Sequence, residues 1–253
     1  MLTYWTIYFR NTEKIINTID NARIWHGIFF DILKQYDKEI ADKYHDQGKK
    51  QSFSISPILC DTQSHVKYFE KNTLLKVNIS LLTNEIYSGL FEFIKKNNKI
   101  PFAKGYLMIE EVNCKTISED MLQQEKITRG VLKFITPTTF RVNPIQYPLP
   151  DPKKIFSNLN KSYCDAYKTE IKDIQVFDEL EKYIIIEGFN IKTEIAKYRK
   201  FTITGFCGNV NIRIKHPNKK IQDHLEKLFA VASYVGIGYK TGMGMGQCIA
   251  LKK

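Results

Sequence analysis

One stretch, VASYVGIGYKTGMGMGQCIALKK, carries glycines at 236, 238, 242, 244 and 246, with one lysine, Lys240, among them. Glycine removes the side chain where a backbone must bend sharply or let something come close. At this density the first ligand to expect is a phosphate. A Walker loop is excluded because there is no G-x-x-x-x-G-K-[ST], and a dinucleotide fingerprint is excluded because it opens a helix, whereas this stretch closes one. A helix C-cap followed by a turn is the other reading of the same glycines. The side chains able to move protons near neutral pH are the five histidines, 26, 45, 65, 216 and 224. Five cysteines (Cys60, Cys114, Cys164, Cys207, Cys248) stand singly, with no C-x-x-C pair and no Cys/His cluster at zinc spacing. Reduced structural thiols are expected, and no metal or cofactor.

The elements that must position these residues follow from periodicity. MLTYWTIYFR is rich in β-branched and aromatic residues and reads as a strand. In TIDNARIWHGIFFDILKQY, Ile24, Ile28 and Ile32 run beside Trp25, Phe29 and Leu33, an i, i+4, i+8 helix pattern with Asp20 or Asn21 as cap. A short helical piece, DKEIADKYHDQG, stops at Gly48. Strands around QSFSISPIL and HVKYFEKNTLLKVNIS, the helix LLTNEIYSGLFEFIKKNN and the strand IPFAKGYLMIEEVNCKT complete a first unit. The second half repeats the order: GVLKFITPTTF, then PDPKKIFSNLNKSYCDAYK as a helix entered through prolines, a long strand pair over YIIIEGFNIKTEIAKYRKFTITGFCGNVNIRIK, the helix NKKIQDHLEKLFAVASYVGIG and the strand QCIALKK. The expected fold is α+β, two tandem ferredoxin-like (RRM-like, βαββαβ) domains over residues 1–118 and 126–253, joined by a linker near 114–126.

The 253 residues carry 38 Lys+Arg against 27 Asp+Glu, a net +11 with pI near 9.2. An excess of this size favours a polyanionic partner. Composition alone does not separate nucleic acid from anionic lipid, but an amphipathic Lys/Trp helix of the membrane-surface kind is lacking. No apolar run approaches the roughly 20 residues of a membrane span, and the first residues lack the order of a signal peptide, so a cytoplasmic location is expected. The aromatic frame with which RNA-recognition sheets stack bases is also missing, so sheet-face readout is not supported.

In this setting GIGYKTGMGMG, directly after an apolar helix, resembles the glycine-rich signature of the sixth CRISPR-associated protein family, endoribonucleases that cut CRISPR repeat RNA. TPTTFRVNPIQYPLPDPKKIFSNLNKSYCDAY is similar to the start of that family's second domain, and TGFCGNVNIRIK to its long hairpin. The likeness covers residues 129 to 250 well and the first half more loosely, through HDQGKKQSFSIS, similar to the loop after the family's histidine.

The resemblance implies metal-independent cleavage of precursor crRNA within the repeats. The ribose 2′-hydroxyl attacks its own phosphate and leaves a 2′,3′-cyclic phosphate and a 5′-hydroxyl, which asks only for proton transfers and stabilisation of a charged phosphorane. His45 occupies the position of the family's usual catalytic histidine; otherwise it reads as a surface histidine in a polar turn. His26, beside Trp25 on the first helix, reads as a core-edge residue, but some branches of the family take their histidine from this helix, so it is the second candidate. Lys49 and Lys50 would stabilise the phosphate charge. The family's tyrosine position falls on Phe30, which has no hydroxyl, leaving Tyr36 or Tyr44 as substitutes; His65, His216 and His224 are assigned to structure.

Phosphate contacts are expected from Lys240, Arg141, Arg129, Lys197, Arg199, Lys200, Arg213 and Lys215, with Gly236, Gly238, Gly242, Gly244 and Gly246 letting the backbone approach RNA. On this reading the loop binds and the first domain cuts. Repeat RNA and a CRISPR effector complex are the expected partners of a monomer or homodimer. The competing reading is a non-catalytic RNA-binding subunit that keeps the fold without the chemistry.

Overall fold

In LTYWTIYFRN, Trp5, Ile7 and Phe9 are buried while Tyr4, Thr6, Tyr8 and Arg10 are only partly so, the period of two that gives a strand one core face. This strand, β1 (Leu2–Asn11), is the centre of the first sheet in the computed structural model, which describes residues 1–45, 52–61, 66–122, 126–142, 145–169 and 180–253. β5 (Leu74–Leu81) and β7 (Gly105–Ile117) flank it, β3 (Phe53–Ile55) lies outside β5 and β6 (Lys99–Phe102) outside β7, all neighbours antiparallel. The helices α1 (Asp20–Tyr36) and α3 (Asn84–Lys96) cover the apolar face, so that Trp25, Phe29 and Leu33 of α1 meet Phe9, Ile7 and Ile79 in one core. A short α2 (Lys38–His45) follows α1, and a separate two-stranded pair joins β2 (Ile15–Ile16) to β4 (Tyr68–Phe69).

The second sheet has the order β11 (Ile184–Lys197), β12 (Thr202–Ile214), β8 (Arg129–Thr138), β13 (Cys248–Lys252). It is covered by α5 (Pro152–Tyr167) and α6 (Lys219–Val235), and a small hairpin of β9 (Phe140–Val142) and β10 (Ile145–Tyr147) stands beside it. Without β6, each sheet runs second, third, first, fourth of its four core strands, which is the antiparallel ferredoxin-like order. The two cores are not independent. Leu2, Leu82 and Ile117 of the first half lie in the apolar cluster of the second.

Local expectations fare unevenly. α5 starts as its sequence demands, with the Asp151 side chain accepting from the Lys154 amide and Pro152 in the first turn. Neither Asp20 nor Asn21 caps α1: Ile19 holds the cap position, and the Asp20 carboxylate instead accepts from Arg23 and from the Arg199 amide. The segment HVKYFEKNTLLKVNIS is not one strand, because the chain turns between β4 and β5 with Asn72 at φ 65°. The supposed linker is structured over its described part: β7 continues to Ile117, and a short helix, α4 (Glu119–Leu122), buries Leu122.

Candidate active site

The glycine-rich loop, residues 236–247, is held from both sides. Towards the second sheet, the Tyr239 amide donates to Thr139 O at 2.8 Å and the Gly246 amide to Pro137 O at 3.1 Å, so the TPTT strand end is the seat of the loop. Towards the first half, Ser54 Oγ donates to Thr241 O at 3.4 Å and Gln247 Nε2 to Ser54 Oγ at 3.0 Å. The buried Tyr198 hydroxyl, next to the β11–β12 turn, closes the clamp by donating to Met243 O at 2.8 Å.

Close approach is indeed what the glycines permit, but the approaching atoms belong to the chain itself. A Cβ on Gly246 (φ 70°) would lie 2.0 Å from Ile237 O, and one on Gly244 (φ 88°) 2.5 Å from Ala22 Cβ of α1. Gly236, Gly242, Gly244 and Gly246 are buried, and Gly238 (φ 98°) faces Thr139 O. Gly236, Gly238, Gly244 and Gly246 thus let the loop pack against itself and between the two halves, while Gly236 and Gly238 also line the cleft beside it.

That nesting creates a cleft of about 540 Å³, lined by His26, Phe30, Tyr44 and His45 from the first half and by Arg141, Asn158, Phe201, Tyr239 and Lys240 from the second. Residues 216 positions apart meet here: His26 Nδ1 lies 3.2 Å from Gly242 O. A carbonyl only accepts, so Nδ1 carries the proton and Nε2 keeps its lone pair. Burial pushes the His26 pKa down to about 4; the bond to Gly242 opposes the shift, and the positive charges of His45 and Lys240 add to it. The ring is neutral at pH 7, with Nε2 able to take a proton. Loop and histidine, which the sequence assigns to separate halves, thus line one cleft.

His45 ends α2, exposed, with its ring 4.9 Å from Phe30; the His26 ring is also 4.9 Å from Phe30, both edge to face. Phe30 is buried and packs against both histidines without any hydrogen-bonding group. Tyr44 lines the cleft, but its hydroxyl donates to Glu85 Oε2 at 3.0 Å beside the Lys43–Glu85 pair; Tyr36 does not line it and is half exposed. Lys49, Lys50 and His65 lie outside the described residues. His224 is held by Asn160 Oδ1 at 2.9 Å, with burial pushing its pKa down to about 4, and His216 packs against Tyr183.

The basic candidates separate into two groups. Lys240 lies over Phe201 at 4.9 Å and Tyr239 at 5.1 Å, with Arg141 at 5.7 Å from the Tyr239 ring. Exposed Lys197, Arg199 and Lys200 surround the β11–β12 turn, tied to α1 by the Arg199 amide bond to Asp20. Arg129 and Arg213 sit near the other end of β12, both paired with Glu187 at 3.0 Å, and exposed Lys215 follows them; they belong to no common site with Lys240. Sequence reasoning missed Phe201, Tyr239 and Asn158. The first two were visible as aromatics adjoining the cations it chose, in YRKF and GYK. Among the described residues no three His, Cys, Asp or Glu are grouped to hold a metal, and no helix is long and apolar enough to cross a membrane.

Two family models match the chain: CRISPR-associated endoribonuclease Cas6 over residues 132–248 and the CRISPR Cas6 N-terminal domain over residues 6–121. A CRISPR-associated endoribonuclease Cas6 of Streptococcus thermophilus is 24% identical over 235 residues, covering 90% of each chain. The structure is similar to a solved Cas6 product complex (TM-score 0.81, 21% identity, 99% of this chain and 100% of that one) and to Thermus thermophilus Cas6 (TM-score 0.74, 21% identity, 99% and 98%). At these identities the structural likenesses establish the fold.

Proposed function

Because the chain belongs to the CRISPR-associated endoribonuclease Cas6 family, we propose that it binds CRISPR repeat RNA and cleaves precursor crRNA within the repeats, without a metal ion. The observation that carries the reading is the cleft in which His26, His45 and Lys240 face a common space. His26 Nε2 takes the proton from the 2′-hydroxyl, whose oxygen forms the new bond to phosphorus. The bond from phosphorus to the 5′-oxygen breaks, and His45 returns a proton to that leaving oxygen. Lys240 meets the charge that grows on the phosphorane, a role that the low-polarity wall of Phe30, Phe201 and Tyr239 strengthens. The products are a 2′,3′-cyclic phosphate and a 5′-hydroxyl.

In this account residues 1–118 supply the histidines and residues 126–253 the cation and the RNA contacts, and the site exists only where the two units meet. The reaction is placed in the cytoplasm, with the processed RNA passing to an effector complex. The test is cleavage of a repeat RNA from the source genome in excess EDTA, with and without a deoxyribose just upstream of the cut. The unmodified RNA is expected to be cut under chelation and the deoxy RNA to bind and stay intact. Loss of all cutting in EDTA, or cutting of the deoxy RNA, would overturn the mechanism.

A further inference from the structure

A second cavity of about 300 Å³ adjoins the cleft, with Arg141, Asn158, Gly238 and Tyr239 lining both. Its walls are β9, which brings Arg141, and one face of α5, where Lys154, Ser157, Asn158 and Lys161 follow at i, i+3, i+4 and i+7. Asn158 joins the walls: its Oδ1 accepts from the Gly238 amide at 2.9 Å, which fixes the helix face to the glycine loop. Among the described residues, no carboxylate lines the cavity. Lys154 is held over Tyr147 at 5.0 Å and pairs with Asp151 at 3.4 Å, whereas Arg141 and Lys161 are exposed and have no ion pair among the described residues. Three cations and a hydroxyl along an open groove suit a chain of phosphates and riboses.

We propose that this groove is a second RNA-backbone site, holding the strand that flanks the scissile phosphate as it leaves the cleft past Tyr239. The proposal rests on the reading of the chain as an RNA-cleaving enzyme. A polymer that fills the cleft must continue through a neighbouring surface, and the groove is a cavity that shares lining residues with the cleft. Its phosphates would meet Arg141 and Lys161 first, with Lys154 released from Asp151 as a third contact. The signal was present in the sequence as KxxSNxxK on a helix entered through prolines, although the helix reading assigned it no function.

The experiment measures binding of a fluorescent repeat RNA, with deoxyribose at the cut, between about 50 and 200 mM salt for the unmodified protein, Lys154→Gln/Lys161→Gln and Ser157→Glu. The double variant is expected to bind roughly tenfold more weakly and to lose about 1.4 from the slope of log K against log salt, about 0.7 for each single-strand phosphate released. Ser157→Glu, which keeps both lysines and adds an acid to the groove, is expected to weaken binding as well. Trimming the RNA from the end that occupies the groove should erase the difference between proteins, as a thermodynamic cycle requires. If both variants bind like the unmodified protein with equal slopes, the groove is refuted and the enzymatic reading stands. If the unmodified protein binds no repeat RNA, both fall.

Discussion

His26 owes its chemical state to one carbonyl and to burial. The Gly242 oxygen fixes the proton on Nδ1, and the apolar surroundings of Phe30 and Phe53 disfavour the charged ring. A histidine with a folded pKa of about 4 and an unfolded value of 6.5 favours the fold fully above pH 6.5, and that contribution is lost as the pH falls towards 4, because the unfolded chain takes up the proton first. His224 titrates in the same window for the same main reason, burial. Each histidine contributes about 3 kcal/mol across it. The melting temperature should therefore fall steadily from pH 6.5 to about 4, and His224→Gln should flatten the fall by about half; a melting temperature constant over that range would contradict the burial of both rings. Tyr44 is a different case. Its hydroxyl is committed to Glu85, so Tyr44→Phe should leave the cleavage rate within about twofold, whereas a loss of a hundredfold or more would restore it as a proton donor to RNA.

The glycine loop shows how an element's place can be legible in the sequence while its contacts are not. Its position after an apolar helix and before the last strand follows from periodicity alone, and so do the capped start of α5 and the apolar stripe of α1. Its contacts do not, because the atoms that demand glycine are brought near only by the folded chain: Ala22 of α1 at residue 244 and, across the loop itself, Ile237 O at residue 246. Gly244→Val combines a left-handed φ of 88° with a collision against α1. The backbone strain alone costs about 1–3 kcal/mol. The variant should melt lower and also cleave more slowly at saturating protein, since shifting the loop moves the Gly242 carbonyl away from His26. A variant with unchanged melting temperature and rate but weaker RNA binding would instead make the loop a free RNA contact.

At the scale of the molecule, the repeated strand and helix order was legible because each element declares its period within a dozen residues, and two copies of one order reinforce each other. The cleft was legible only in its parts. His26, Phe30, His45, Arg141 and Lys240 can each be picked from the sequence by type, yet their meeting depends on Leu2, Leu82 and Ile117 entering the second core and on a contact between residues 216 apart. No local period encodes a separation of that length, and for that reason Arg129 and Arg213 were grouped with Lys240 although Glu187 holds them elsewhere. The net charge of +11 predicts salt-sensitive RNA binding by the whole surface, whereas the proposed mechanism confines cutting to the junction. The most direct measurement of that claim is single-turnover cleavage of a repeat RNA at saturating protein by His26→Ala, His45→Ala and the double variant, with RNA affinity recorded in parallel. The account predicts that the double variant loses at least about a hundredfold in rate, while RNA affinity stays within about threefold of the unmodified protein. A double variant that cuts at the original rate would contradict it.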